Sequence, residues 1–246
     1  MRNRMSKVVL MYHDIVTSAD KYSGFQNESA FQYKIDESVF ENQVKALQGK
    51  DVVFTFDDGG VSFYSKAAPI LEKYGFKGVF FISTRYINTP GFLTDDQVRV
   101  LAERGHVIGS HTHSHPNNLT LMTESEIEYE WRKSCEVLKN IIGHEVIVAS
   151  IPNGYGSQRI FRLTSNAGIR ELYTSEPTQK IYQKENVTAI GRYVIHNNMT
   201  TEDVVSLVVK KDVRRRIYIR WKLLECVKAL FGSKYDKLKS LYLKLK

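Results

Sequence analysis

Seven short runs of apolar, β-branched or aromatic residues alternate along this chain with segments whose apolar residues recur at helical spacing. Because strands that alternate with helices pair in parallel, this alternation predicts an α/β fold built on a parallel sheet. Seven strands exceed what a small open sheet requires, so we expect the sheet to close into a barrel. The predicted strands cover residues 8–12, 52–56, 78–82, 107–110, 146–150, 171–174 and 189–195.

Capping residues and glycines mark the predicted ends of four helices between these strands. Apolar positions at helical spacing run from 64 to 74 and stop before a glycine, and Thr94 begins a helix that runs to residue 104. Thr123 and Glu126 have the spacing of a capping box ahead of a long helix to about residue 142. Ser157 begins another helix, which Gly168 closes.

The positive charge of the chain is concentrated near its end. The net charge is +8, and residues 201–246 contain 13 Lys and Arg against 5 Asp and Glu. Residues 1–200 therefore hold 22 of each sign (35 less 13, and 27 less 5). A neutral body does not favour a nucleic-acid-binding surface. We expect a barrel domain over residues 1–200, a basic amphipathic helical tail over 201–246, and no nucleic-acid partner.

The sequence also bears on location. No apolar run approaches the roughly 18 residues that a membrane-spanning helix needs. The first apolar stretch, 8–12, is shorter than the ~7–15 residues of a signal-peptide core and is followed at once by polar residues. We therefore expect a cytoplasmic protein. In a reducing compartment Cys135 and Cys226 are expected to be free thiols.

Two adjacent carboxylates, Asp57 and Asp58, come directly after the second predicted strand, in Thr-Phe-Asp-Asp-Gly-Gly. Side chains at the carboxyl ends of parallel strands converge on one face of such folds, where active sites lie. Carboxylates there are costly to bury unless they are paired or bind a metal. A simple turn, with one Asp capping the next helix, is the alternative.

Three histidines, His111, His113 and His115, follow the fourth predicted strand within five residues. Neutral imidazole is a common metal ligand, and a carboxylate with two imidazoles is a recurrent open site for zinc and similar ions. A polar loop that is rich in histidine by chance is the alternative. The aspartate pair and the histidine cluster together favour a metal site over either alternative.

With these motifs the chain resembles the NodB-like polysaccharide deacetylases (carbohydrate esterase family 4), whose first motif matches residues 55–59 and whose second matches 111–115. The resemblance runs from about residue 8 to 194. It implies a distorted (β/α)7 barrel and a metal-dependent hydrolase that removes N-acetyl groups from amino sugars of a polysaccharide or lipid-linked glycan. It implies that Asp57 is the general base and that Asp58, His111 and His115 bind one divalent ion, Zn²⁺ foremost, with Co²⁺ or Ni²⁺ as alternatives.

The same resemblance leaves His113 without an assigned role, and we expect packing or support of the ligands from it. Thr112 is expected to steady the loop by hydrogen bonding.

The third family motif is altered in this chain. Ser150 stands where the family usually has the arginine that orients the base, so the group that holds Asp57 is open. The resemblance still implies that the loop lines the substrate groove, with the Asn153 amide stabilising an oxyanion. A plain Pro-Asn-Gly turn is the alternative. The substrate-binding residues expected from the resemblance are Tyr12, Pro152, Asn153, Gly154 and Tyr155.

Two histidines are candidates for the general acid. His196, in Val-Ile-His, approximates the Leu-x-His motif from which the family often draws this residue. His13 also lies at a strand end. For each of them a hydrogen-bonded structural role is an equal alternative. The activity has alternatives too: the same chemistry on a formyl or other acyl group, a non-catalytic glycan-binding domain, or a structural role.

The tail invites a hypothesis of its own. Ile217, Trp221, Leu224 and Phe231 are spaced to share one helical face, among many arginines and lysines. One interpretation is a helix lying on an anionic membrane surface, at the inner face, where a lipid-linked glycan would be within reach. The other is a helix packed on the barrel with its lysines solvated.

Overall fold

The computed structural model describes residues 7–19, 22–154 and 156–231, and the side chains up to residue 227. The chain forms an α/β fold. The strands are β1 (Val8–Tyr12), β2 (Ile15–Val16), β3 (Ile35–Asp36), β4 (Val52–Phe56), β5 (Gly78–Ile82), β6 (Val107–Ser110), β7 (Val148–Ser150), β8 (Glu171–Tyr173), β9 (Ile181–Lys184), β10 (Val187–Ile190) and β11 (Tyr193–Val194). The α-helices are α1 (Glu28–Phe31), α2 (Glu37–Ala46), α3 (Ala68–Lys73), α4 (Asp95–Glu103), α5 (Glu124–Ile142), α6 (Gln158–Asn166), α7 (Thr201–Val209) and α8 (Lys211–Phe231).

A nine-stranded curled sheet forms the centre of the fold, in the order β11-β1-β4-β5-β6-β7-β8-β10-β9. Every pair in it is parallel except the β9–β10 hairpin. The central strands are buried on both faces, as expected for a parallel sheet. Leu10, Phe54 and Phe80 point to the face covered by helices, whereas Val9 and Phe81 belong to a smaller cluster on the opposite face.

The segment 187–194 joins the two ends of the sheet. Its first half, β10, pairs with β8, and its second half, β11, pairs with β1. Gly191 lies between them, where a Cβ would come 2.5 Å from two carbonyl oxygens, so only glycine fits. The single strand predicted at 189–195 is therefore two strands, β11 at one edge of the sheet and β10 next to the other edge strand, β9. The expected barrel is confirmed as a curled sheet whose edges this segment bridges.

The first four predicted strands are confirmed at their predicted limits, and β7 and β8 are shorter than predicted. The capping boxes explain two helix starts: Thr94 with Gln97 begins α4, and Thr123 with Glu126 begins α5. The helix predicted at 64–74 begins with a π-helical turn, Phe63–Ala67, before α3. The prediction did not include α2, whose N-cap is Asp36, nor β2, β3 and β9.

The last two helices lie against the barrel at their near ends. Val204 and Leu207 of α7 are buried in the main core, and Val213 and Ile217 of α8 pack against it. The buried Arg214 donates to the carbonyl oxygens of Leu207 and Val208, at 2.7 and 2.8 Å, and so caps α7. The division of the chain at residue 200 stays a prediction. Within the described ranges, no helix combines the length and the apolarity that crossing a bilayer requires.

Candidate active site

The predicted site residues meet at the carboxyl ends of three strands of the sheet, β4, β6 and β7. Asp57 and Asp58 follow β4, His111 follows β6, and Ser150 ends β7. Parallel pairing of β4, β5, β6 and β7 brings these strand ends to one edge of the sheet. All four side chains are buried or nearly so.

Asp58, His111 and His115 form a set of three donors that could hold a metal ion. Asp58 Oδ1 lies 3.4 Å from His111 Nε2 and 3.3 Å from His115 Nε2. An ion about 2.1 Å from each of two donors, in a tetrahedral arrangement, would hold them roughly 3.4 Å apart. One carboxylate and two imidazoles suit zinc and related divalent ions and leave coordination positions for water and substrate.

The backbone at this site adopts an unusual conformation. Asp58, Thr112 and His115 have φ angles of 87°, 65° and 55°, in the left-handed region that side chains other than glycine rarely occupy. Such conformations cost of order 1–3 kcal/mol each and persist where the surroundings over-determine them, commonly at functional sites. The strained backbone aims the Asp58 and His115 side chains at each other.

Glu130, a buried residue of α5, holds the histidine loop. Its carboxylate accepts hydrogen bonds from the backbone amides of His113 and Ser114, at 2.9 and 2.7 Å, and from the Ser114 hydroxyl at 2.6 Å. Thr112 Oγ1 accepts from the His115 amide at 3.2 Å, as its expected role in steadying the loop requires. The ring of His113 points away, with Nδ1 2.9 Å from the Thr84 hydroxyl, which agrees with the packing role expected for it.

Ser150 orients His111. Its hydroxyl lies 2.6 Å from His111 Nδ1, and its carbonyl oxygen lies 3.1 Å from the same nitrogen. A carbonyl oxygen can only accept, so Nδ1 carries the hydrogen and Nε2 presents its lone pair to the metal-ligand set. The Ser150 hydroxyl is also 3.2 Å from Asp57 Oδ1. The residue that replaces the family's arginine therefore supports both a candidate ligand and the candidate base.

Arg192 takes the place of the missing arginine. It is fully buried between β10 and β11, and its terminal nitrogens donate to Asp57 Oδ1 at 2.6 Å and Oδ2 at 2.8 Å. Its Nε donates to the Thr174 carbonyl oxygen, and the guanidinium lies over the Phe81 ring. The sequence analysis missed Arg192. The sequence signal that could have identified it is an arginine inside the apolar run 189–195, because a buried arginine is costly without an acidic partner.

The electrostatics of the site keep both aspartates ionised. Burial raises the pKa of Asp57, but the Arg192 guanidinium, His111 and His13 outweigh burial and hold this pKa below its usual value. Burial likewise raises the pKa of Asp58, yet the imidazoles of His111 and His115 beside its carboxylate bring it well below the usual value. Asp57 Oδ2 lies 4.0 Å from His111 Nε2, beside the donor set and outside it.

The two candidate acids both contact Tyr33. The His13 ring stacks on Tyr33 at 4.5 Å between centroids, and the His196 ring lies 5.2 Å from that of Tyr33. His13 Nδ1 is buried and has no hydrogen-bond partner among residues 7–19, 22–154 and 156–231. Burial, and then the charge of His13, lowers the pKa of His196. The charge of His13 also lowers the pKa of Asp57 and Asp58, which places His13 within electrostatic reach of both carboxylates.

A half-buried aromatic cluster borders the site beside His115. Phe25 lies 4.9 Å from the His115 ring, 5.0 Å from Tyr86 and 5.2 Å from Phe92, between ring centroids. Tyr86 and Phe92 stack on each other at 4.9 Å. The cluster joins the segment after β2 to the loop after β5. It gives the site an apolar wall that the sequence analysis did not predict.

The expected substrate-binding residues have different outcomes. The prediction that Tyr12 binds substrate was wrong, because its side chain is fully buried in the core. Its hydroxyl donates to Gln43 Oε1 at 2.9 Å, and its ring stacks on Phe54 and Phe56. Alternation along β1 turns it to the helix-covered face, away from any groove.

The loop after β7 follows the site but shows no substrate role by itself. Pro152 is buried, whereas Asn153 is exposed with a φ of 56° and Gly154 has a φ of 73°. Tyr155 lies outside the described residues. Groove lining by this loop and oxyanion stabilisation by the Asn153 amide stay predictions.

A family model described as polysaccharide deacetylase matches residues 45–172, which is just over half of the 246-residue chain. The matched stretch contains Asp57, Asp58, His111 and His115. The chain belongs to the polysaccharide deacetylase family. The resemblance inferred from the two motifs is thereby confirmed.

Individual relatives agree with this assignment. The chain is 27% identical over 180 residues to the protein YxkH of Bacillus subtilis. The aligned stretch covers 69% of this polysaccharide deacetylase and 64% of YxkH. It is also 27% identical over 128 residues to the peptidoglycan-N-acetylmuramic acid deacetylase PdaA of Bacillus subtilis, covering 51% of this chain and 47% of PdaA. The chain thus spans less than two thirds of either relative.

The fold is shared with solved deacetylase structures. A polysaccharide deacetylase from Bacillus cereus superimposes with a TM-score of 0.70 at 22% identity, covering 82% of this chain and 68% of that one. At this identity the likeness establishes the fold of the polysaccharide deacetylase, and the chemistry has to be argued from its own residues.

Proposed function

We propose that this polysaccharide deacetylase hydrolyses N-acetyl groups on amino sugars of a glycan in a metal-dependent reaction and releases acetate. One observation carries the proposal: an ionised, buried aspartate, Asp57, is held by Arg192 directly beside the Asp58–His111–His115 donor set. Separate groups for metal binding and for proton transfer are what amide hydrolysis needs, because an amide is a poor electrophile and its leaving amine must be protonated.

The residues present fit a divalent metal. Asp58, His111 and His115 supply one carboxylate oxygen and two ring nitrogens at ligand spacing, and Ser150 and Thr112 support them from behind. We propose zinc as the native ion, with cobalt or nickel as substitutes. A divalent ion held there supplies Lewis acidity, which polarises the acyl carbonyl and acidifies the attacking water.

Asp57 is the proposed general base. It accepts a proton from water as the water oxygen attacks the acetyl carbon. Its ionised form is secured by Arg192, and the bidentate contact fixes the direction of the carboxylate. Since Oδ1 and Oδ2 are both engaged by Arg192, the base cannot rotate away from the metal-ligand set.

His13 or His196 is the proposed general acid. One of these imidazoles delivers a proton to the sugar nitrogen as the C–N bond breaks, so that the products are acetate and a free amine. Both rings contact Tyr33, His13 at 4.5 Å and His196 at 5.2 Å between centroids. Among the described residues His13 Nδ1 has no hydrogen-bond partner, which supports His13 as the acid. The position of His196 after β11, in a Val-Ile-His sequence close to the family's Leu-x-His motif, supports His196.

The proposed substrate is an N-acetylated glycan. PdaA, by its name, acts on N-acetylmuramic acid in peptidoglycan, which supports an amino-sugar polymer as the substrate class. The Phe25–Tyr86–Phe92 wall supports the same class, because the apolar face of a sugar ring packs on aromatic rings. We propose that the sugar next to the reacting one lies against this wall.

The test is metal content together with acid release by the purified full chain. We expect acetate from chitin oligosaccharides or N-acetylated peptidoglycan, loss of activity after chelation, and recovery with Zn²⁺, Co²⁺ or Ni²⁺. Formate release from an N-formyl analogue under the same conditions, without acetate from any glycan, would move the activity to another acyl group. Full activity of a thoroughly chelated protein would contradict metal dependence.

A further inference from the structure

Helix α8 turns an apolar face to solvent beyond the point where it leaves the barrel. Ile219, Leu223, Leu224 and Val227 are 47%, 62%, 41% and 38% exposed. Ile219, Leu223 and Val227 follow one another at intervals of four residues and so share one side of the helix, with Leu224 next to them. Together with Arg216 and Arg220 they line a shallow groove. Single exposed apolar residues are common on protein surfaces, but a stripe of four neighbouring ones indicates an interaction surface.

Of the face expected from the sequence, the exposed stripe contains only Leu224. Ile217 packs against the core, and Trp221 is half-buried, with its ring 6.0 Å from Tyr218 and Lys222 over it. At Ile217 that side of α8 is directed at the protein. Phe231 lies beyond the described side chains. The helix thus has a face that packs on the barrel, as in one interpretation of the tail. Its other described face is exposed to solvent, as the membrane-surface interpretation requires.

The charges around the stripe are mostly positive. Lys211, Arg215, Arg216, Arg220 and Lys222 are exposed on α8, against Asp212 and Glu225. Arg216 pairs with Asp212 at 3.3 Å on the surface, a contact of small energy. Long basic side chains that flank aliphatic ones can extend to a layer of anions while the aliphatic groups enter an apolar phase.

We propose that this face of α8 docks the protein onto an anionic lipid bilayer. Charge complementarity selects the lipid surface over a second copy of the chain, since two such faces would bring their arginines together. Four half-exposed aliphatic side chains also present little surface compared with the roughly 1,200–2,000 Å² of a stable protein interface. The helix lies along the interface without crossing it, with Leu223 and Val227 in the acyl boundary and Arg216 and Arg220 at the phosphates.

The docking does not depend on the proposed deacetylation. One extension does: on the inner face of the membrane, as proposed for a cytoplasmic protein, the active site would act on a lipid-linked glycan. Lipid binding is measured without turnover, so failure of the enzyme assay leaves the docking test intact, and the reverse also holds.

Co-sedimentation of the full chain with vesicles tests the proposal. The probes are phosphatidylcholine alone and phosphatidylcholine with one third phosphatidylglycerol. We expect binding to the anionic vesicles that weakens steeply with added salt, and little binding to the neutral ones. Arg216→Gln with Arg220→Gln should weaken anionic binding roughly 30-fold, at about fivefold for each basic residue. Leu223→Gln with Val227→Gln should abolish it.

Leu121→Gln is the matched control, because Leu121 is 83% exposed and lies far along the chain from α8. It should bind like the unmodified protein, and circular dichroism should show the same helix content for all variants. Equal binding to both vesicle types, or no effect of the Leu223 and Val227 substitutions, would overturn the proposal. A concentration-dependent dimer that these substitutions disperse would identify a second copy as the occupant and overturn it as well.

Discussion

Arg192 donates a hydrogen bond to Asp57 from each of its two terminal nitrogens, at 2.6 and 2.8 Å, although the two residues lie 135 positions apart in the chain. Both side chains are buried, so the pair stands in a region of low dielectric where a charge without its partner is very costly. The pair ties the segment that bridges the edges of the sheet to the end of β4. In this protein one contact serves both the closure of the fold and the orientation of the proposed base.

Arg192→Lys should therefore impair catalysis more than metal binding. Lysine keeps the positive charge but cannot donate two parallel hydrogen bonds to one carboxylate. We expect kcat to fall ~10²-fold through misplacement of Asp57, with metal content unchanged. Arg170→Lys, the same change at an exposed arginine, is the control and should behave as the unmodified protein. Unchanged kcat for Arg192→Lys would show that orientation of the base does not depend on the bidentate contact.

Removal of the charge should destabilise the fold. Arg192→Gln leaves the Asp57 carboxylate buried without a counter-charge, which costs about 3–5 kcal/mol. Urea unfolding at pH 7 measures the loss. Arg192→Gln combined with Asp57→Asn should recover much of it, because no buried charge then remains unpaired. A double variant no more stable than Arg192→Gln would contradict the pairing as the cause.

The two aspartates should separate by metal content. Asp57→Asn should retain the metal and lose ~10²–10⁴-fold in kcat, since a carboxamide cannot accept the proton from water. Asp58→Asn should lose the metal, because an anionic ligand is replaced by a neutral one. Elemental analysis of both variants after dialysis decides the matter. Metal loss from Asp57→Asn would mean that the two roles are exchanged.

His13→Ala and His196→Ala should identify the proton donor. The variant that lacks the donor should lose the alkaline limb of its pH–rate profile while its metal content stays near that of the unmodified protein. The other variant should show a smaller change, from loosened stacking on Tyr33. Full activity in both variants would assign protonation of the amine to water or to another residue.

The aromatic wall should affect binding of long substrates. Phe25→Ala should raise KM for chitin oligosaccharides with little change in kcat. Phe25→Leu keeps apolar bulk without the ring, so its KM should lie between those of the unmodified protein and of Phe25→Ala. A lower kcat with unchanged KM in Phe25→Ala would instead indicate that Phe25 supports His115, which lies 4.9 Å from its ring.

His106, remote from the site, should make stability depend on pH. Its Nδ1 accepts from the Gly78 amide at 3.0 Å, and burial lowers its pKa to about 4. Since the unfolded chain takes up this proton near the ordinary value of about 6.5, stability should fall as the pH drops from 6.5 to 4, by on the order of 3 kcal/mol. Urea unfolding of His106→Gln over this range should lack that component. Equal pH dependence in both proteins would contradict it.

Local patterns were sufficient for much of the fold and for the metal ligands. The limits of β1, β4, β5 and β6 follow from short apolar runs ended by polar residues, and the starts of α4 and α5 from capping boxes. Asp57, Asp58, His111 and His115 stand in two compact motifs at strand ends. Once the strands are known to be parallel, the convergence of these motifs follows from the sheet alone.

Contacts between distant segments decided the rest. No local pattern specifies that Arg192 reaches Asp57, that residues 187–194 pair with β8 in one half and with β1 in the other, or that Tyr12 faces the helices. The outward face of α8 was likewise set by where the helix leaves the barrel, because its apolar residues nearly encircle it and only packing chooses which are covered. Periodicity reports which side chains share a face, whereas the partner of that face depends on the assembled tertiary structure.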